Sequence, residues 1–95
     1  MSLLRVDHVV GDFDLWKQTF DSDPVGREAS GVRSYRIMRP VGERDHVLVD
    51  LEFDTAAEAQ AFGEKLRAMW AEAGTRLGLE DPTARVLEEV EAKTY

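Results

Sequence analysis

Residues 46–53 read HVLVDLEF, in which Val47, Val49, Leu51 and Phe53 alternate with His46, Leu48, Asp50 and Glu52. Successive side chains of a strand point to opposite faces of a sheet, so this stretch is a strand with one wholly apolar face and one mostly polar face. The period then changes at once. In DTAAE, Thr55 and Glu58 have the capping-box spacing, at which each side chain satisfies the other residue's free backbone N–H at a helix start. Ala59, Phe62, Leu66, Met69, Trp70 and Ala73 follow as the apolar stripe of a helix of about five turns, with Gly74 as its expected left-handed stop.

The remaining elements are read in the same way. LLRVDHVV, residues 3–10, alternates with Leu4, Val6, His8 and Val10 on one face and Arg5 and Asp7 on the other, which is a half-buried strand. After Gly11, Asp12 or Asp14 caps a helix that carries Phe13, Trp16 and Phe20 on a single side. Asp23-Pro24 is expected to cap a second short helical piece, Val25 to Ala29, ending near Gly31. Val32 to Arg39 is a strand closed by the turn Pro40-Val41-Gly42-Glu43. Past a polar loop containing Asp81-Pro82, Ala84 to Ala92 fits a strand or a short helix, and topology selects the strand.

The order is therefore βαββαβ over one domain, residues 1–95. Two interleaved right-handed β-α-β crossings give the ferredoxin-like α+β fold, a four-stranded antiparallel sheet with both helices on one face. A chain of 95 residues buries only ~60–65% of its unfolded surface, and its second sheet face is left bare. Val32, Met38 and Leu48 lie among polar neighbours on strands whose outer side is that face, and a second copy of the chain covers it economically. A homodimer with sheet facing sheet is expected.

Composition restricts function. Hydrophobic residues at 43% and charged residues at 33% are ordinary for a folding globular chain. The net charge of −7 repels phosphate backbones and the nine arginines are scattered, so nucleic acid is not an expected partner. Apolar runs are only a few residues long, as in Val47-Leu48-Val49, so neither a bilayer span nor a signal-peptide core is expected. With no cysteine there is no disulfide, thiolate metal site or thiol nucleophile, which fits a cytoplasmic address. His8 and His46 lack the close ligand spacing of a metal site, and neither a Gly-rich phosphate loop nor a Gly-x-Ser-x-Gly elbow occurs.

Two side-chain groupings remain. Trp16 and Phe20, with Phe62, Met69 and Trp70, form either packed helix faces or the wall of an aromatic-binding cavity between helices and sheet. His46, Asp50 and Glu52 share one face of their strand, and Arg36 on the preceding strand is placed to pair with an acid across it. These four are candidates for a dimer face or a solvated face. The acidic run Glu88-Glu89-Val90-Glu91 reads as a solvated strand edge.

The segments VGDFDLWKQTF at 10–20, ASGVRSYRI at 29–37 and VLVDLEFDTAAEA at 47–59 resemble small bacterial proteins of the dimeric α/β-barrel superfamily, among them antibiotic biosynthesis monooxygenase-like domains. The resemblance spans nearly the whole chain and implies a ferredoxin-like subunit paired into a barrel-shaped dimer. It also implies, for the oxygenases of the group, chemistry without metal, flavin or other cofactor: an electron-rich phenolic substrate, once deprotonated, itself reduces oxygen. The protein then supplies a dry pocket, a base and hydrogen bonds to the anion. His8, on the strand face that points toward Trp16 and Phe20, is the catalytic candidate under that reading; otherwise it is a structural histidine. Haem binding in the superfamily uses a histidine of the second helix, and residues 55–73 contain none. Two functions stand: a homodimeric small-molecule-binding or interaction domain, and a cofactor-independent monooxygenase or isomerase acting on an aromatic or polyketide-like molecule.

Overall fold

The computed structural model describes residues 1–74 and 78–95. Its elements run β1 (Ser2–Val9), α1 (Phe13–Asp21), β2 (Ser34–Met38), β3 (His46–Phe53), α2 (Ala56–Ala73) and β4 (Glu80–Glu88). The strands form one sheet in the order β2-β3-β1-β4 with every neighbouring pair antiparallel. With both helices over one sheet face, this is the ferredoxin-like α+β fold.

Alternation fixes which side chains meet the helices. Leu4, Val6 and His8 of β1 lie opposite Leu51, Val49 and Val47 of β3, and Phe53 closes the row beside Ser2. Leu4, Val47 and Phe53 are completely buried, and Phe62 of α2 packs on Phe53 with ring centroids 5.6 Å apart. Each such side chain contributes about 1.5–3 kcal/mol by leaving water. Helix α2 packs on the sheet with Gly63 facing Leu4, where a Cβ would lie in ordinary contact, 3.5 Å from the nearest Leu4 methyl.

Local chemistry sets the ends of the elements. Asp12 caps α1 by accepting from the backbone N–H groups of Asp14 and Leu15. Thr55 caps α2 by accepting from Glu58 N–H, while its own hydroxyl donates to the Glu58 carboxylate, so the box is closed through side chains.

Four boundaries depart from the sequence expectation. Residues 25–29 form turns and no helix, because Gly26 takes φ +73° and Asp23 φ +55°, outside the helical region. Gly74 is right-handed, with φ −58°; the positive φ falls to Gly78, where an added Cβ would lie 3.0 Å from the Gly11 backbone. Strand β4 begins at Glu80 and ends at Glu88, so it takes in Asp81-Pro82 and leaves residues 89–92 outside. Asp81 at φ +45° and a register shift opposite Asp7 to Val9 mark a bulge there, and an edge strand tolerates a proline that donates no ladder hydrogen bond. Val32 precedes β2 and packs against the core, so it does not join Met38 and Leu48 on the outer face.

Candidate functional site

Strand β1 carries His8 on its helix-facing side, at the break in the β1–β4 ladder, where Asp7 pairs with Thr83 and Val9 with Glu80. The side chain is 4% exposed. Trp16 of α1 meets the imidazole nearly edge-on, with centroids 5.6 Å apart and planes at 80°, and Trp70 of α2 does so from another side at 6.0 Å and 68°. Neither ring nitrogen has a hydrogen-bond partner among the described residues. A buried polar atom left without a partner costs about 1–3 kcal/mol, and such groups are rare enough to call for an explanation. Burial pushes the His8 pKa down to about 4, against a smaller upward pull from Asp7 and a smaller downward one from His46. His8 is therefore a neutral imidazole at neutral pH, with one N–H to donate and one nitrogen to accept.

The imidazole opens onto a cleft between the two helices and the sheet. Val6, Val49 and Leu51 line its sheet side, Trp16 and Phe20 come from α1, and Phe62, Leu66, Met69 and Trp70 come from α2. About 60 Å³ is free to the centre of a water molecule, room for a few waters at ~10–15 Å³ each. Trp16, 7% exposed, is thus enclosed but has a void beside it. The cleft brings together His8, Trp16, Phe20, Phe62, Met69 and Trp70 from β1, α1 and α2.

Arg27, also on the lining, escaped the sequence reading. Its guanidinium lies 4.0 Å from the centroid of Phe20 and 5.1 Å from that of Tyr35, and its Nη1 donates to the Phe20 carbonyl at 2.6 Å. Asp23 stands beside it, 3.5 Å from Nη1, and accepts from the Arg27 backbone N–H at 2.9 Å. Nothing in the sequence marked this arginine, since its place depends on the positive-φ turns at Asp23 and Gly26.

Arg36, His46, Asp50 and Glu52 lie on the opposite sheet face, away from the cleft. Arg36 sits across from Asp50, yet Arg5 of β1 takes that carboxylate, donating from Nε and Nη2 at 2.8 Å each. This bidentate bond holds the Asp50 pKa below its usual value. His46 Nε2 is 2.7 Å from Asp7 Oδ1 and its Nδ1 3.5 Å from Glu43, and the bond with Asp7 raises the His46 pKa. Among the described residues no group of three or more His, Asp or Glu side chains is placed to hold a metal, and no helix is long and apolar enough to cross a membrane.

Neither a family model nor a curated protein matches the chain. Solved structures do. A Deinococcus radiodurans protein assigned by name to the antibiotic biosynthesis monooxygenases superposes with a TM-score of 0.75 at 14% identity, over 100% of this chain and 98% of that one. A dimeric ferredoxin-like protein from an uncultured marine organism gives 0.70 at 12% identity, over 100% of both chains. A point variant of MhuD, with two manganese protoporphyrin IX bound per active site, gives 0.65 at 19% identity, over 98% of this chain and 99% of that one. At these identities the likeness is one of fold, and it agrees with the superfamily to which the sequence bears a resemblance.

Proposed function

We propose that this chain is a homodimeric binding domain that takes a small, mostly apolar aromatic molecule into the cleft beside His8, which widens beyond its present volume of about 60 Å³ to admit the ring. The observation that carries the reading is the pair of unpartnered imidazole nitrogens in an apolar, aromatic-walled cavity. A ligand hydroxyl or carbonyl that reaches His8 gives the imidazole the hydrogen bond it lacks, worth about 0.5–1.5 kcal/mol net, while its ring stacks among Trp16, Phe20 and Trp70. The dimer is supported by the dimeric ferredoxin-like neighbours and by the apolar side chains of the outer sheet face, Leu3, Val9, Met38, Leu48 and Leu87.

Magnitudes favour binding over oxygenation or isomerisation. Burial holds the His8 pKa well below that of a phenol, which makes the imidazole a weak base for a phenolic proton. A metalloporphyrin of the kind bound by the MhuD variant does not fit: α2 has no histidine, and indoles flank His8 on two sides where a porphyrin plane would need space.

Titration with 2-naphthol, read from the indole N–H resonances of Trp16 and Trp70, tests the reading. Saturable shifts are expected in both, with affinity falling about two- to tenfold in His8→Phe while the fold is retained. Unmoved indole signals at millimolar 2-naphthol would contradict it. Oxygen uptake with anthrone under the same conditions is expected to be absent, and uptake that depends on His8 would favour the enzymatic alternative.

A further inference from the structure

The cleft between helices and sheet ends in a charged pair. Of the described residues that line it, only Asp23 and Arg27 are charged at neutral pH, and the same two line a surface groove beside Glu28, Arg33 and Tyr35. Arg27 therefore stands where the cleft meets solvent, with one side toward the aromatic interior and the other toward the groove.

A row of rings leads from the imidazole to this guanidinium. His8 meets Trp16 at 5.6 Å, Trp16 stacks on Phe20 at 5.2 Å, and the Arg27 guanidinium lies 4.0 Å from the Phe20 centroid and 5.1 Å from that of Tyr35. The two rings and the bond to the Phe20 carbonyl hold its plane in place, so an anion that reaches it meets donors already ordered.

The charge of Arg27 is only loosely neutralised. Arg5 shows the alternative, with two 2.8 Å bonds to both oxygens of Asp50. Asp23 approaches Arg27 Nη1 only to 3.5 Å, too long for a good hydrogen bond, and does so with the oxygen that already accepts the Arg27 backbone N–H at 2.9 Å. Its carboxylate fixes the turn more than it satisfies the guanidinium. Apart from the Phe20 carbonyl, no described residue accepts a hydrogen bond from the Arg27 side chain. In the groove, Arg33 is held by Asp54, and Glu28 is exposed, where solvent screens it.

A planar guanidinium with donors to spare matches a carboxylate in charge and in shape. We infer that the cleft selects an aromatic acid: the ring enters between the helices toward His8, and its carboxylate stays at the mouth on Arg27. The inference rests on the binding cleft proposed above and names the class of ligand it takes.

Titration of the wild-type chain with 2-naphthol and with 6-hydroxy-2-naphthoate, which adds only the carboxylate, tests it through the indole N–H resonances of Trp16 and Trp70. The acid is expected to bind about tenfold more tightly, the gain of one charge-assisted contact at a partly exposed site, and the advantage should shrink at high salt. The ratio of the two affinities is expected to fall to about one in Arg27→Gln. In Asp23→Asn it is expected to rise a few-fold, because a neighbouring negative charge is lost. The amide oxygen there still accepts from the Arg27 N–H, and asparagine tolerates the φ of +55°. A wild-type ratio of one or less overturns the aromatic acid and leaves the cleft standing. So does a ratio that folded Arg27→Gln retains, or one that neither Asp23→Asn nor salt alters. Indole signals that neither compound moves overturn the cleft, and the acid with it.

Discussion

His8 binds a proton near pH 6.5 in an unfolded chain but only near 4 in the folded one, so between those values the unfolded state holds more protons and folding weakens as pH falls. The loss amounts to about 3 kcal/mol once pH is below 4. In His8→Phe the urea-unfolding free energy is expected to stay nearly flat across that window, and an unchanged slope would mean that His8 is not the group concerned. His46 has the opposite sign. Its raised pKa means that the stability it shares with Asp7 is fully present below pH 6.5 and is lost as pH rises through the folded value. His46→Gln is expected to remove that alkaline decline. Alternation alone placed His8 toward the helices and His46 away from them. That both nitrogens of His8 lack a partner was not legible, because it depends on where Trp16 and Trp70 come to rest.

Helix α2 offers two tests of how an element is held. Thr55→Ala removes the hydroxyl that accepts from Glu58 N–H, at an expected cost of about 1 kcal/mol. Gly63→Ala is expected to stabilise by about 0.5–1 kcal/mol, since its φ is not positive and its Cβ would meet Leu4 and Arg67 no closer than 3.5 Å. Thermal or urea melts of the two variants should therefore move in opposite directions. Strand β3 was legible to the residue because its alternation is unbroken, and α2 because a cap and a stripe agree. Strand β4 runs four residues earlier than its composition suggests. Asp81-Pro82 looks like loop punctuation, yet an edge strand absorbs it in a bulge, and only the pairing with β1 reveals that edge. The turns at 25–29 were read as helix because their composition permits one, while the positive φ at Gly26 belongs to a chain path that composition does not encode.

At the scale of the molecule, the sheet separates two surfaces with different work. The helix side holds the aromatic cleft and its neutral imidazole; the outer side holds the paired charges, exposed arginines and apolar strips that suit a second copy. Wild-type chain at ~10 µM is expected to sediment at twice the mass of one chain, and a single-chain mass at every concentration would remove the dimer from the account. The fold was legible throughout as an order of elements, whereas the cleft depends on how the side chains of α1 and α2 settle over the sheet, which no periodicity records. The most direct measurement is the ring ¹⁵N spectrum of His8 at pH 7 during titration with 2-naphthol. The account predicts a neutral imidazole whose nitrogen resonances shift saturably in step with the indole signals of Trp16 and Trp70. Resonances that remain fixed while 2-naphthol reaches millimolar concentration would contradict it.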